Sequence, residues 1–407
     1  MKTKNRTALK LISNWLWRIF LVLLVISGGV YLWAYRSTGT SLIARGIMWG
    51  DSDAGDLYRF PTRVMHASAA PVEFEPLEGA LQSRLAELPI TNDDIGVVDM
   101  PFDEYLAYTN TTAFIVLHGD QLVYEAYFNG ADRESIQTSF SAAKSFTSTL
   151  VGIAIEEGFI RGLDDPITDY LPELAVRDGR FREITLRHLL TMTSGLRWER
   201  SGSNPFSDDF ISYYSPDLRA AAFEVEIVTQ PGIAFLYNDY NPLLVGMVLE
   251  RAAGMTVSEY METRLWQPMG AEGDGSWSLD SEQSGFEKMF VGVNGRAIDL
   301  MKLGWLFQNK GRNGDTQVVP VSWVEEATQV NTTSDPASFY QYYWWIDEER
   351  QMYFAEGDKC QFIFVYPQAN LVAGRFGIDC GGTGFSAFVP NIARWVDSQM
   401  EKDNSTD

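Results

Sequence analysis

Runs of two-residue period and runs of helical period fall in different parts of this chain. Ala113 to His118 and Gln121 to Phe128 read as strands joined by Gly119-Asp120, the pattern of a tight hairpin. Near the other end, Gln361 to Tyr366 and Leu371 to Ile378 form a second such pair around Pro367-Gln368-Ala369-Asn370, and Tyr340 to Ile346 just before them is aromatic and extended. Helical patterns lie between: Ser141 to about Glu157, Thr185 to Thr193, Asp239 to Ala253, Thr256 to Leu265 and Arg296 to Gln308. Gly79 to Leu88 is a further helical stretch, and Pro390 to Met400 closes the chain with an amphipathic helix. Ser201 to Asp217 is polar and aromatic, with Gly202 and Pro205, and reads as a surface loop. Strands at both ends with helices between predict an α+β fold, an antiparallel sheet built from early and late segments around an inserted helical region.

The first 36 residues follow another rule. They carry six basic residues (Lys2, Lys4, Arg6, Lys10, Arg18 and Arg36) and no acidic one. Ile19 to Tyr35 is an uncharged apolar run bracketed by Trp15, Trp17, Trp33 and Tyr35, as at a membrane interface. Its length is at the short end for a span. The bulky Leu32-Trp33-Ala34-Tyr35-Arg36 that closes it lacks a small-residue cleavage site, which favours an uncleaved signal anchor over a cleaved signal peptide. Basic residues before the span place residues 1–36 as a cytoplasmic tail and single transmembrane helix, with the rest on the periplasmic or extracellular side of the cell (inner) membrane. Residues 37–85 then read as a linker arm, 86–402 as the catalytic domain and 403–407 as a tail.

Removing the +6 of the anchor from a total charge of −22 leaves −28 on the body, which repels phosphate backbones and argues against a nucleic-acid partner. At 407 residues and 45% hydrophobic, the chain is long enough to bury a large core. Two cysteines and three scattered histidines offer no metal-ligand spacing. Cys360 and Cys380 flank the late hairpin nearly opposite each other, as a cross-strand disulfide or as two buried thiols.

Candidate chemistry centres on Ser141-Ala142-Ala143-Lys144, the one S-x-x-K in the chain. Three residues apart on a helix, the hydroxyl and the amine share a face, and the helix start offers free N–H groups to an oxyanion. An amine there can activate a serine or support the group that does, although so short a motif also arises by chance. Downstream, Pro231-Gly232 and a short apolar strand from Ile233 lead to Tyr237-Asn238-Asp239 at a helix start. Tyr237 becomes a base only beside a positive charge such as Lys144; otherwise it covers the helix start. No G-x-S-x-G and no H-E-x-x-H is present, and His66, His118 and His188 lie in no convincing catalytic loop.

Taken with Leu186-Arg187-His188-Leu189-Leu190-Thr191-Met192-Thr193-Ser194-Gly195-Leu196 and Arg296 to Trp323, these blocks resemble the serine hydrolases related to class C β-lactamases, D-alanyl-D-alanine carboxypeptidases, family VIII esterases and 6-aminohexanoate-dimer hydrolases. The likeness runs from Thr112 to Met400 and implies a β-lactamase/transpeptidase-like fold. It implies that Ser141 is acylated, that Lys144 activates it and that Tyr237 is the general base and acid, with a small ester or amide as substrate and no cofactor or metal. The alternative it leaves is a penicillin-binding-type sensor or scaffold that binds wall peptide or β-lactam with little turnover. Two departures stand out. The family's Tyr-x-Asn is here Tyr237-Asn238-Asp239, and a carboxylate at Asp239 would pair with Lys144 and make it an electrostatic partner. The late Lys- or His-Thr/Ser-Gly is replaced by Glu356-Gly357-Asp358-Lys359-Cys360-Gln361, similar to the Gly-His-Gly-Gly-Gln of esterase-like and amide-hydrolase-like members. That strand is expected to supply an oxyanion N–H from Cys360 or Gln361. Without the usual cation, recognition of a β-lactam carboxylate is not expected, unless Lys359 substitutes. Oligomeric state is not legible.

Overall fold

The computed structural model describes residues 2–38, 41–77, 81–201, 204, 206–331 and 337–404. Two compact units emerge, Met1–Ser52 with Glu199–Pro216, and Asp53–Trp198 with Asp217–Asp407.

In the first unit a helix, Lys2–Thr38, precedes a short one, Leu42–Trp49. Among the described residues one stretch, Ser13–Leu32, is long and apolar enough to cross a membrane by length and composition. Within the Ser201 to Asp217 stretch expected as a loop, Asp208–Tyr214 is helical. Its aromatic residues are the reason: Phe210 lies against Gly46, and the carbonyl of Tyr214 accepts from Arg45 Nη1 at 3.1 Å, so an apolar face is covered.

The second unit is built on an eight-stranded sheet. Its strands in chain order are β1 (Glu75–Pro76), β2 (Thr111–His118), β3 (Gln121–Tyr127), β4 (Tyr340–Gln341), β5 (Trp344–Asp347), β6 (Met352–Gly357), β7 (Gln361–Tyr366) and β8 (Leu371–Gly377). In space the order is β4-β5-β6-β7-β8-β2-β3-β1, so the early hairpin pairs with the late one through β8 and β2. All neighbours are antiparallel except β1 with β3. Ala113 to Leu117 of β2 are fully buried, as expected of a central strand covered on both faces. Cys360 and Cys380 are joined in a disulfide, with Cα atoms 5.2 Å apart.

One face of the sheet is covered by Phe102–Tyr108 and by the C-terminal helix Phe385–Asn404, whose Phe102, Phe385, Val389 and Ile392 meet Phe114, Phe362 and Phe364. That helix begins before the Pro390 start read from the sequence and carries Pro390 inside it, because Phe385 is drawn fully into this core. On the other face lie helix α1 (Ala143–Glu156), with α2 (Tyr240–Ala253) packed on it, and helix α3 (Ala297–Gln308), directly against β7 and β8. Gly304 makes the close approach possible: a methyl group there would sit 2.6 Å from Ile363 and 2.8 Å from Val372. A smaller sheet, in the order Thr62–Met65, Gly275–Ser278, Val293–Arg296, Ile136–Thr138, leads the chain into α1. Thr62–Met65 and β1 both come from the stretch the sequence reading set aside as an arm.

Gly304→Val should therefore cost about 1–3 kcal/mol in urea unfolding, by overpacking a filled helix–sheet contact. Gly162→Ala, with no atom within 4 Å of the added carbon, should change stability little.

Candidate active site

The strand Ile136–Thr138 delivers the chain to a single turn of 3-10 helix, Phe140–Ala142, from which α1 continues. Phe140 adopts φ 43°, a left-handed conformation uncommon for a phenylalanine. Its side chain is 3% exposed and held in the core, so packing maintains the strained turn and Ser141 is presented half-exposed at its crest. Gly357, ending β6, runs against this turn so closely that a Cβ would lie 2.1 Å from the carbonyl oxygen of Ser139.

Lys144 follows one turn after Ser141 and is 1% exposed. Its Nζ donates to Ser141 Oγ at 3.1 Å and to the carbonyl of Phe290 at 3.1 Å. Asp239 Oδ1 lies 2.9 Å from the same nitrogen as an ion pair. The Tyr237 ring centroid is 4.6 Å from Nζ. Burial by itself would lower the Lys144 pKa, but the negative charge of Asp239 and then Tyr237 outweigh it, and the ammonium is held above its ordinary value. Lys144 is thus a charged donor to Ser141.

Between Asn238 and Asp239 the structure decides clearly. Asn238 is 1% exposed and turns inward: its Nδ2 donates to the carbonyls of Leu196 and Arg197, and its Oδ1 accepts from the Tyr240 N–H. Asp239, at the start of α2, faces Lys144. The lead-in expected as a short strand from Ile233 has no ladder partner and is irregular. Its backbone is satisfied instead by the Leu186 to Leu196 block, through Gly232 N to the Thr193 carbonyl at 2.7 Å and Leu236 N to the Met192 carbonyl at 2.8 Å. Asn241 of α2 is bonded to Ser194 Oγ and to Met192, so that block is the bracket that holds Tyr237.

His188 Nδ1 accepts from the Thr185 N–H, and burial lowers its pKa; His66 pairs with Asp274 at 3.6 Å. Among the described residues no histidine hydrogen-bonds Ser141, and no group of three or more His, Cys, Asp or Glu side chains is placed to hold a metal.

The third expected element lies at the junction of β6 and β7, which packs on the Ser141 turn. Lys359 and Cys360 have φ 59° and 60°, so this link is tightly curled. Arg375 holds it from beneath. That fully buried side chain donates to the carbonyls of Lys359, Cys360, Thr109 and Asp379 and to Thr111 Oγ1. Burial brings its pKa down to about 9, against the pull of Asp379 and Tyr105. The Gln361 side chain is also spent, bonding both the N–H and the carbonyl of Gly377, so only its backbone N–H is left to serve a substrate.

An aromatic wall, assigned no role from the sequence, completes the site. Trp345 stacks on Tyr237 at 6.0 Å and 19°, and Tyr340 meets Tyr237 edge-on at 5.9 Å. The only signal for it was the aromatic run Tyr340 to Ile346, which does not say what the rings face.

A β-lactamase family model matches residues 102–376. The chain belongs to the β-lactamase family. It is 27% identical to the 6-aminohexanoate-dimer hydrolase of Paenarthrobacter ureafaciens over 320 residues, 73% of this chain and 76% of that protein. It is 31% identical to esterase EstB of Burkholderia gladioli over 210 residues, 46% of this chain and 52% of the esterase. The solved structure of a candidate 6-aminohexanoate-dimer hydrolase from Bacillus anthracis superposes with a TM-score of 0.72 at 22% identity, covering 84% of this chain and 92% of that one. The fold is accordingly β-lactamase/transpeptidase-like, and the chain is a serine hydrolase of the β-lactamase family.

Asp239→Asn should leave this family member with a buried ammonium lacking its carboxylate. The expected loss at neutral pH is about 3 kcal/mol, at the lower end for a broken buried pair because Asp239 is 18% exposed. Burial would then set the Lys144 pKa below its unfolded value. The folded state would bind fewer protons than the unfolded one, so the variant's stability should rise with pH up to about 10.4. The native protein, whose Lys144 pKa is raised, should instead lose stability above that value. Urea unfolding at several pH values reads both slopes.

Proposed function

We propose that this protein is a membrane-anchored serine hydrolase that cleaves an ester or amide bond through an acyl-enzyme on Ser141. The observation that carries the reading is the Lys144 ammonium, shared by Ser141 Oγ and Asp239 and set 4.6 Å from the Tyr237 ring. A lysine held charged cannot accept the serine proton, which leaves Tyr237 as the base. It acts as the phenolate, which the adjacent ammonium stabilises and which becomes a phenol on taking the serine proton.

Ser141 Oγ attacks the carbonyl carbon while its proton passes to Tyr237. The oxyanion is held by the N–H of Ser141 and one N–H from the Cys360–Gln361 end of the curled link. Tyr237 returns the proton to the leaving alcohol or amine, and the C–O or C–N bond breaks. It then takes a proton from water, whose oxygen attacks the acyl carbon, and Ser141 is released reprotonated. Relatives named as an esterase and as a 6-aminohexanoate-dimer hydrolase support ester or amide as the bond class.

For location, the apolar Ser13–Leu32 helix preceded by basic residues supports a single-pass signal anchor in the cell (inner) membrane, with the catalytic body on the periplasmic or extracellular side. The Cys360–Cys380 disulfide supports an oxidising compartment.

A fluorophosphonate probe should label the native protein and not Ser141→Ala. Absence of labelling in the native protein would favour a binding sensor that has lost turnover. Tyr237→Phe should lower kcat by about 10²–10⁴-fold, and full activity in that variant would remove Tyr237 as the base. Short-chain p-nitrophenyl esters should be hydrolysed faster than a chromogenic cephalosporin. The reverse ranking would show that the site recognises the β-lactam carboxylate despite its altered third motif.

A further inference from the structure

The first acidic residue of the chain is Asp51, well past the apolar stretch that ends at Leu32. Helix Leu42–Trp49 lies within this acid-free run, and its one charged residue is Arg45. Ser41 caps it, accepting from the Ala44 N–H at 2.9 Å. Towards the helix Asp208–Tyr214, Arg45 is 2% exposed and donates to the Tyr214 carbonyl, and Trp49 meets the Tyr214 ring at 6.4 Å. The carboxylates of that second segment are turned onto its own backbone. Asp208 accepts from the Glu199 N–H, and Asp209 from the N–H groups of Ser201 and Phe210.

Two apolar side chains of Leu42–Trp49 stay outside this packing, Ile43 at 43% exposed and Met48 at 58%. A contact back to the long N-terminal helix sets their level. Met48 Sδ accepts from Tyr31 Oη at 3.3 Å. Tyr31 stands next to the end of Ser13–Leu32, a stretch that at about 1.5 Å per residue measures about 30 Å, the thickness of a bilayer's hydrocarbon core. A tyrosine at the end of such a stretch sits where hydrocarbon gives way to headgroups. Met48, in contact with its hydroxyl, is at the same level.

Resting on the single-pass anchor reading above, we propose that Leu42–Trp49 is an interfacial helix at the headgroup boundary of the bilayer that holds the anchor. Ile43 and Met48 meet phospholipid, and the helix Asp208–Tyr214 is docked on it from the protein side. Apolar area at that depth is stabilised by leaving water, and an acid-free segment with a single cation meets phosphate headgroups without like-charge repulsion. The chain of the second unit crosses to this platform at Ser52–Asp53, Trp198–Glu199 and Pro216–Asp217, so the attachment is threefold and not a single arm.

The two cysteines of the sequence are bonded to each other, so an introduced cysteine is the thiol that takes a label. Ile43→Cys, Met48→Cys and, in the middle of the apolar stretch, Val22→Cys are each labelled with an NBD fluorophore. Each full-length protein is reconstituted into vesicles of phosphatidylethanolamine and phosphatidylglycerol that contain lipid with a nitroxide on the headgroup or near the acyl-chain end. Labels at positions 43 and 48 should lose more intensity to the headgroup nitroxide, as expected for side chains about 5–10 Å into the headgroup boundary. The label at position 22 should lose more to the chain-end nitroxide. Labels at 43 and 48 quenched by aqueous iodide and by neither nitroxide, with position 22 quenched by lipid, would overturn the inference alone. So would labels there shielded from iodide and nitroxide alike, which would assign the open side chains to a second copy or another protein. A label at position 22 that neither nitroxide quenches would overturn the anchor reading and this inference with it.

Discussion

The site depends on keeping one ammonium charged where water cannot reach it. Lys144 is fully surrounded by protein, and burial of that kind strips an amine of its proton unless a carboxylate is fixed beside it. Asp239 is that carboxylate, and the carbonyl of Phe290 takes a further donor. Three segments distant in sequence must meet within hydrogen-bonding distance of a single nitrogen: the start of α1, the start of α2 and the loop before Val293. Much of the fold can be understood as the means of holding them there. The Leu186 to Leu196 block braces the Tyr237 segment, the smaller sheet aims the Ser141 turn, and Gly357 allows β6 to press against it.

A second constraint is the curled link between β6 and β7. Two consecutive non-glycine residues with positive φ are costly to hold, and here three separate devices hold them. Arg375 binds the carbonyls of Lys359 and Cys360, Gln361 bonds Gly377, and the disulfide joins Cys360 to Cys380 beyond the next strand. A fully buried guanidinium is expensive, and it persists because carbonyl oxygens and Thr111 accept from it. Its cost is offset by the order it imposes on the backbone facing Ser141. Rigidity there matters because donors aimed at an oxyanion act only if they need not reorganise as charge develops.

Much of this was legible in the sequence because it is local. Ser141 and Lys144 are one helical turn apart, so any helix through them puts the hydroxyl and the amine together. The hairpins on either side of Gly119-Asp120 and Pro367 to Asn370 are set by turn residues and alternation, and they pair as expected. The presence of a carboxylate at position 239 already implied a charged lysine. The helix at Asp208–Tyr214 and the early start of the C-terminal helix were not legible, since in both cases an aromatic side chain finds a covering surface that local pattern does not reveal.

By itself, then, the sequence determined that Ser141 and Lys144 share one helical turn, the α+β order of elements and an apolar, basic-flanked N-terminal stretch. Only the tertiary structure decided that Asp239 and not Asn238 faces Lys144, that Cys360 and Cys380 are bonded, and that Trp345 lies on Tyr237. It also decided that Gln361 is tied to Gly377. The division has one physical cause. Spacing within a helix or hairpin is a property of the backbone, whereas the partner of Lys144 or of the Tyr237 ring comes from a segment far away along the chain.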